Sequence, residues 1–150
     1  MANRRASVRL QTLTLCRTAR RYDNGRMFDL IGVTPRIDID PKFEYPIRFS
    51  QFDLFARFII QHPGRENYFL RIWWLSPDRS RKELIRIYGP NPVEFNDVDG
   101  SHDHSFRLAN MVFPLPGQYV ILVCRKSKRS WSRDRWVVLG REYVLVEKRS

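Results

Sequence analysis

Residues 125–135 read RKSKRSWSRDR and set Arg125, Lys126, Lys128, Arg129, Arg133 and Arg135 around Trp131, with Asp134 as the one carboxylate among them. Cations this close repel one another, and a polyanion lying among them relieves the repulsion while shedding its own counterions. The chemistry implied is phosphate contact. An indole exposed among guanidinium groups adds a ring on which a base stacks, or which enters a partner's pocket, for about 1 to 3 kcal/mol. The plainer alternative folds Trp131 back over the end of the protein beneath arginine stems. The guanidinium groups stay charged either way.

A second constellation is NDVDGSHDH, residues 96–104, where Asp97, Asp99, His102, Asp103 and His104 crowd five potential ligands together. His-x-His on an extended segment points both rings to one side, where they can share a metal. The Asp-x-Asp-Gly opening matches half of a calcium loop, but the distal bidentate Glu of an EF-hand is absent. The competing reading is a solvated acidic loop, with Glu94 nearby, that serves as counter-charge to the basic tract. His62 precedes Pro63-Gly64 and reads as a turn residue. No phosphate-cradling glycine loop, Walker lysine, nucleophile elbow or His-Glu-x-x-His occurs, so no catalytic residue or cofactor is expected and the protein reads as a non-enzyme.

A chain of 150 residues is one domain with a real core. Its 27 Lys and Arg against 16 Asp and Glu leave a net charge of +11, a field that draws nucleic acid, anionic lipid headgroups or an acidic protein. The bland reading is a protein that is simply soluble and basic. Cys16 and Cys124 are too few and too far apart for a disulfide framework or a zinc site. Each follows the strand pattern beside an arginine, which lowers a thiol pKa if close, though small apolar filler is the commoner role. No stretch reaches the length of a membrane span and MANRRASVRL lacks an apolar signal region, so a cytoplasmic protein with no membrane contact is expected.

These residues need strands to position them. Residues 1–7, with Arg4 and Arg5, read as a flexible basic arm, and 8–150 as the domain. Val8, Leu10 and then Leu13, Leu15 alternate with one break in phase, and Asn24-Gly25 supplies the positive φ of a tight hairpin. Phe52, Leu54, Ala56, Phe58 and Ile60 share one face of 49–61, with Asp53, Phe55 and Arg57 on the other. Further strands are expected at 27–34, 68–75, 84–88, 106–113, 119–124, 136–139 and 143–146, with an irregular loop over 89–104. Phe106, Ala109, Met111 and Val112 also fit a turn or so of helix. The spacing of turns predicts an all-β fold of about eight or nine strands, a single-domain two-sheet antiparallel sandwich.

Three stretches, RRYDNGRMFDLIGVTPRIDI, YFLRIWWLSPDRSR and FRLANMVFPLPGQYVILV, together resemble an uncharacterised bacterial domain-of-unknown-function family of small β-sandwich proteins, over residues 13–146. The resemblance implies an immunoglobulin-like sandwich and no reaction. Its Phe-Pro-x-Pro-Gly-x-Tyr turn, here 113–119, opens a strand with Gly117 permitting the bend and Tyr119 packing at the corner. The chain departs from the family where relatives have a short polar hairpin and this one has the basic loop.

The function expected is a non-catalytic binding module of a larger bacterial assembly, holding an anionic partner, foremost nucleic acid backbone, through Arg125, Lys126, Lys128, Arg129, Trp131, Arg133 and Arg135. Arg17, Arg20, Arg21, Arg79, Arg81, Lys82, Arg141, Lys148 and Arg149 extend that surface if strand order allows. The alternative is a protein–protein interaction subunit, a homo-oligomer or scaffold, because strands 68–75 and 119–124 are apolar on both faces and Trp73 and Trp74 point opposite ways. A third reading centres metal chemistry on His102 and His104, with Asp97 and Asp99.

Overall fold

The structure is a computed structural model that describes residues 5–22, 27–33, 35–96, 100–127 and 135–150. The described residues are all-β, without a helix. The strands are β1 (Ser7–Cys16), β2 (Thr18–Tyr22), β3 (Met27–Ile31), β4 (Arg36–Ile39), β5 (Ile47–His62), β6 (Gly64–Leu75), β7 (Lys82–Phe95), β8 (Ser101–Phe113), β9 (Gly117–Ser127) and β10 (Arg135–Lys148). They form a three-stranded sheet ordered β1-β5-β8, a five-stranded sheet ordered β4-β10-β9-β6-β7, and the separate ladder β2-β3. Every ladder is antiparallel except β10 with β4, which is parallel.

Period-two alternation explains the core. On β5, Phe52, Leu54, Ala56 and Phe58 are fully buried and face Tyr68, Leu70 and Ile72 of β6 and Ile121 and Val123 of β9. The Phe58 and Tyr68 rings stack at 5.3 Å, and Phe95 meets Phe58 edge-on at 5.1 Å. Each such side chain withdrawn from water contributes about 1.5 to 3 kcal/mol, and the aromatic geometry adds to it. The opposite face of β5 is covered too: Phe28 of β3 packs on Phe55 at 5.3 Å, and the Ala19 N–H of β2 donates to buried Asp53 at 2.8 Å. The ladder pairs Thr18 with Ile31 through Tyr22 with Met27, as the expected hairpin requires; its Asn24-Gly25 turn lies outside the described residues.

The Pro116-Gly117 corner forms as expected. Gly117 holds φ at 133°, and a Cβ there would come within 3.0 Å of Trp74 Nε1. Two residues on, the Tyr119 hydroxyl donates to Leu115 O at 2.6 Å and accepts from Leu115 N at 3.2 Å, while Trp74 Nε1 donates to Pro116 O at 3.1 Å.

Several sequence expectations change. Among the described residues ten strands occur where eight or nine were expected, in three sheets with one parallel ladder. Residues 106–112 are strand. Phe106 and Leu108 face the core, Asn110 at φ 51° shifts the phase, and Met111 and Phe113 then face the core instead, a pattern that mimics helical spacing. Most of the expected 89–104 loop is the end of β7 and the start of β8. Segments 136–139 and 143–146 are one strand, β10, with a bulge between Val138 and Gly140. In the expected arm, Ser7 begins β1 and Arg5 bonds Glu66 and Lys126 O, docking the chain against β6 and β9.

Candidate functional site

The outward face of the five-stranded sheet is where aromatic and cationic side chains meet. On β6, Phe69, Arg71 and Trp73 alternate with the core residues Tyr68, Leu70, Ile72 and Trp74. Ladder pairing carries this face across to Lys126, Leu122 and Val120 of β9 and to Trp136 and Val138 of β10. Beyond the bulge the outward positions of β10 are Arg141 and Tyr143, opposite Leu122 and Val120. The bulge is decisive, because Trp136 and Arg141 are an odd number of residues apart and a regular strand would place them on opposite faces. Gly140 sits there because a Cβ would run into Leu10 of β1.

Arg71 lies between two indoles, its guanidinium carbon 5.2 Å from the Trp73 ring and 5.0 Å from the Trp136 ring. Phe69 meets Trp136 edge-on at 5.1 Å, and the Lys126 ammonium lies 5.2 Å from Phe69 and 5.7 Å from Trp136. Lys82 stands 5.0 Å over Trp73. Trp73, Leu75, Lys82, Val120, Leu122, Arg141 and Tyr143 line an open depression of about 300 Å³ on the same face. The Arg71 Nε is buried with no hydrogen-bond partner.

Among the described residues, Arg71, Lys82 and Arg141 have no carboxylate within ion-pair distance. The described carboxylates of the same face lie at its margins: Asp38 and Glu147 are engaged by Arg36, each at 2.7 Å, and Glu94 sits opposite Arg65.

The basic tract divides across the sheet. Lys126 is exposed on the outward face, whereas Arg125 and Arg135 fall on the core side of β9 and β10 by alternation, beyond the end of the core. Arg125 lies near enough to Tyr68 to oppose the rise that burial imposes on that hydroxyl's pKa. Lys128, Arg129, Trp131 and Arg133 lie outside the described residues. Of the wider basic set, Lys82 and Arg141 join the outward face, while Arg17 covers Phe49 and Phe52 at 5.0 and 4.9 Å on the three-stranded sheet. Arg79 donates to Gln118, also an outward position of β9, at 3.0 Å, whereas Lys148 lies over Tyr45.

His102 and His104 do point to one side, with ring centroids 6.0 Å apart. That side is the aromatic end of the core: His102 meets Phe95 at 5.3 Å and His104 meets Phe106 at 4.6 Å. Burial lowers both pKa values, with Arg21 adding to the effect, and brings His104 to about 4. Asp103 points the other way and grips Arg57 with both oxygens, at 2.7 and 2.9 Å. Among the described residues no group of three His, Cys, Asp or Glu converges, and Asp97 and Asp99 lie outside them. Both thiols are buried. Burial pushes Cys16 up to about 11 with help from Asp53, and raises Cys124 against the opposing pull of Arg71. A groove of about 610 Å³ elsewhere joins Asp38, Asp40 and Glu44 with Arg48, Arg149 and Phe43. Its lining holds neither histidine nor cysteine.

The sequence marked the apolar surplus of 68–75 but not the cations set into it. The alternation Phe69-Arg71-Trp73 carried that signal.

No family model matches the chain, and no curated protein matches it. Among solved structures it is similar to one described as a β-glucosidase from Erythrobacter marinus, with 13% sequence identity, a TM-score of 0.40 and 95% of this chain covered. The chain spans 16% of that protein's length. A likeness of that size carries no activity to this chain.

Proposed function

We propose that this protein is a non-catalytic binding module that holds the phosphates of a nucleic acid, with the outward face of the five-stranded sheet and the adjoining base of the β9–β10 hairpin as its contact surface. One observation carries the reading: among the described residues, Arg71, Lys82 and Arg141 gather around Trp73 and Trp136 without ion-pair partners, while the carboxylates of that face lie at its margins. Unpaired cations on a rigid sheet attract phosphate and release its counterions. Lys126 and, in sequence, the rest of the 125–135 tract extend the positive field. The scaffold proposed with it is an immunoglobulin-like sandwich, its layers the three- and five-stranded sheets. A core shared between them and the Tyr119 corner support that, in keeping with the bacterial family the sequence resembles.

The test is titration of labelled DNA and RNA with the protein at rising salt. Binding that weakens with salt and is abolished by Lys82→Glu with Arg141→Glu supports the reading; unchanged binding in that variant removes the face from it. A second reading, an assembly subunit, draws on Leu84, Ile87, Val138 and Tyr143, which remain 37–43% exposed on the same face. It predicts an oligomer or partner complex that persists at high salt, visible by light scattering.

A further inference from the structure

We infer that the nucleic acid is single-stranded and that this sheet face is a platform on which its bases stack; the inference rests on the nucleic-acid reading above. A phosphate-binding surface needs cations only. Here three half-buried rings each stand beside a cation: Trp73 beside Arg71 and Lys82, Trp136 beside Arg71 and Lys126, and Phe69 beside Lys126. Rings serve a partner with accessible π faces, and in a duplex those faces are sealed within the stack. A single strand exposes bases and phosphates in alternation, which matches ring and cation alternating across the sheet.

Trp73 on β6 pairs with Val120 and Trp136 on β10 with Lys126, six residues apart along the β9 strand between them. The two indoles nevertheless both reach the Arg71 guanidinium carbon, at 5.2 and 5.0 Å. Arg71 occupies the gap and keeps the indoles from collapsing on each other. The floor between is apolar, with Leu122 and Val120 of β9, and the depression bounded by Arg141 and Tyr143 prolongs the surface beyond Trp73. Arg71 is thus both a spacer and a charge at the middle of the track. The bulge before Gly140 completes the track by turning Arg141 and Tyr143 to the side of Trp136. An apolar protein partner would gain nothing from the cations beside Phe69, Trp73 and Trp136.

The experiment uses the full chain with fluorescent oligothymidine, a duplex of equal length, and inorganic polyphosphate, which carries the charge without bases. Anisotropy reports affinity, and quenching of intrinsic tryptophan fluorescence reports stacking. The expected result is preference for the single strand, quenching by oligothymidine and none by polyphosphate. Trp73→Ala and Trp136→Ala each weaken single-strand binding by about 5- to 150-fold, the fold-change of one lost base stack, while Trp136→Phe retains most of it. Quenching of the unsubstituted protein needs no variant to fold. Equal affinity for polyphosphate and oligothymidine with no quenching overturns the stacking platform and leaves phosphate binding standing. Absence of binding to all three probes overturns both.

Discussion

Replacing Lys82 and Arg141 by glutamine gives the most direct measure of the proposed contact surface. Both side chains line the depression beside Trp73, and both lie outside the core. Among the described residues, they stand with Arg71 and Lys126 as the four cations gathered about the two indoles. If each takes one phosphate of a single strand, the logarithm of affinity falls with the logarithm of salt at a slope of about −2.8, roughly a 50-fold loss between about 50 and about 200 mM. Removing two of the four halves the slope to about −1.4 and shrinks that loss to roughly 7-fold. The assay is anisotropy of labelled oligothymidine at several salt concentrations, with thermal unfolding confirming that the variant folds. Arg57→Gln is the control, since Arg57 is already matched by Asp103 and its loss leaves the slope as it was. A parent slope near zero, or a double variant with the parent slope, refutes the assignment of phosphate contacts to this face.

Acid is expected to destabilise the fold through the half-buried histidine pair. His104 titrates near 4 in the folded protein against an ordinary 6.5, so the unfolded chain takes up its proton first and stability present above pH 6.5 drains away as pH falls toward 4. His104→Phe flattens that part of the profile, measured by urea unfolding at stepped pH. Tyr119→Phe deletes the hydroxyl that both donates to and accepts from Leu115, and a loss of about 1 to 3 kcal/mol is expected from the stranded backbone groups in chemical denaturation. Gly140→Val overpacks the bulge against Leu10 and costs about 1 to 3 kcal/mol. In a Leu10→Ala background the same substitution costs less, and strict additivity of the two unfolding free energies counts against that contact.

Much of the scaffold was legible because burial on a strand has a period of two. The split of β5 into a Phe52-Leu54-Ala56-Phe58 face and an Asp53-Phe55-Arg57 face follows its alternation, and the phase break after Leu10 is a register shift between Leu10 and Thr12. Where phase shifts without an obvious breaker, reading failed: Asn110 made a strand look helical, and the bulge at Val138–Gly140 made one strand look like two. The His-x-His spacing allowed both rings to share one side, yet the segment was expected to be loop, and sequence did not say that it is strand β8 or that this side is the aromatic end of the core.

Composition and alternation alone determined an all-strand protein of strong positive charge with Trp73 and Trp74 on opposite faces, because both depend only on residues near one another in the chain. Which cations share a face with which rings was decided by tertiary structure. Trp73, Lys126, Trp136 and Arg141 come from three strands, and their alignment depends on β9 lying between β6 and β10 and on one extra residue in β10. Strand order and bulge position are set by long-range packing, here Leu10 of β1 against Gly140, and local pattern carries no record of it.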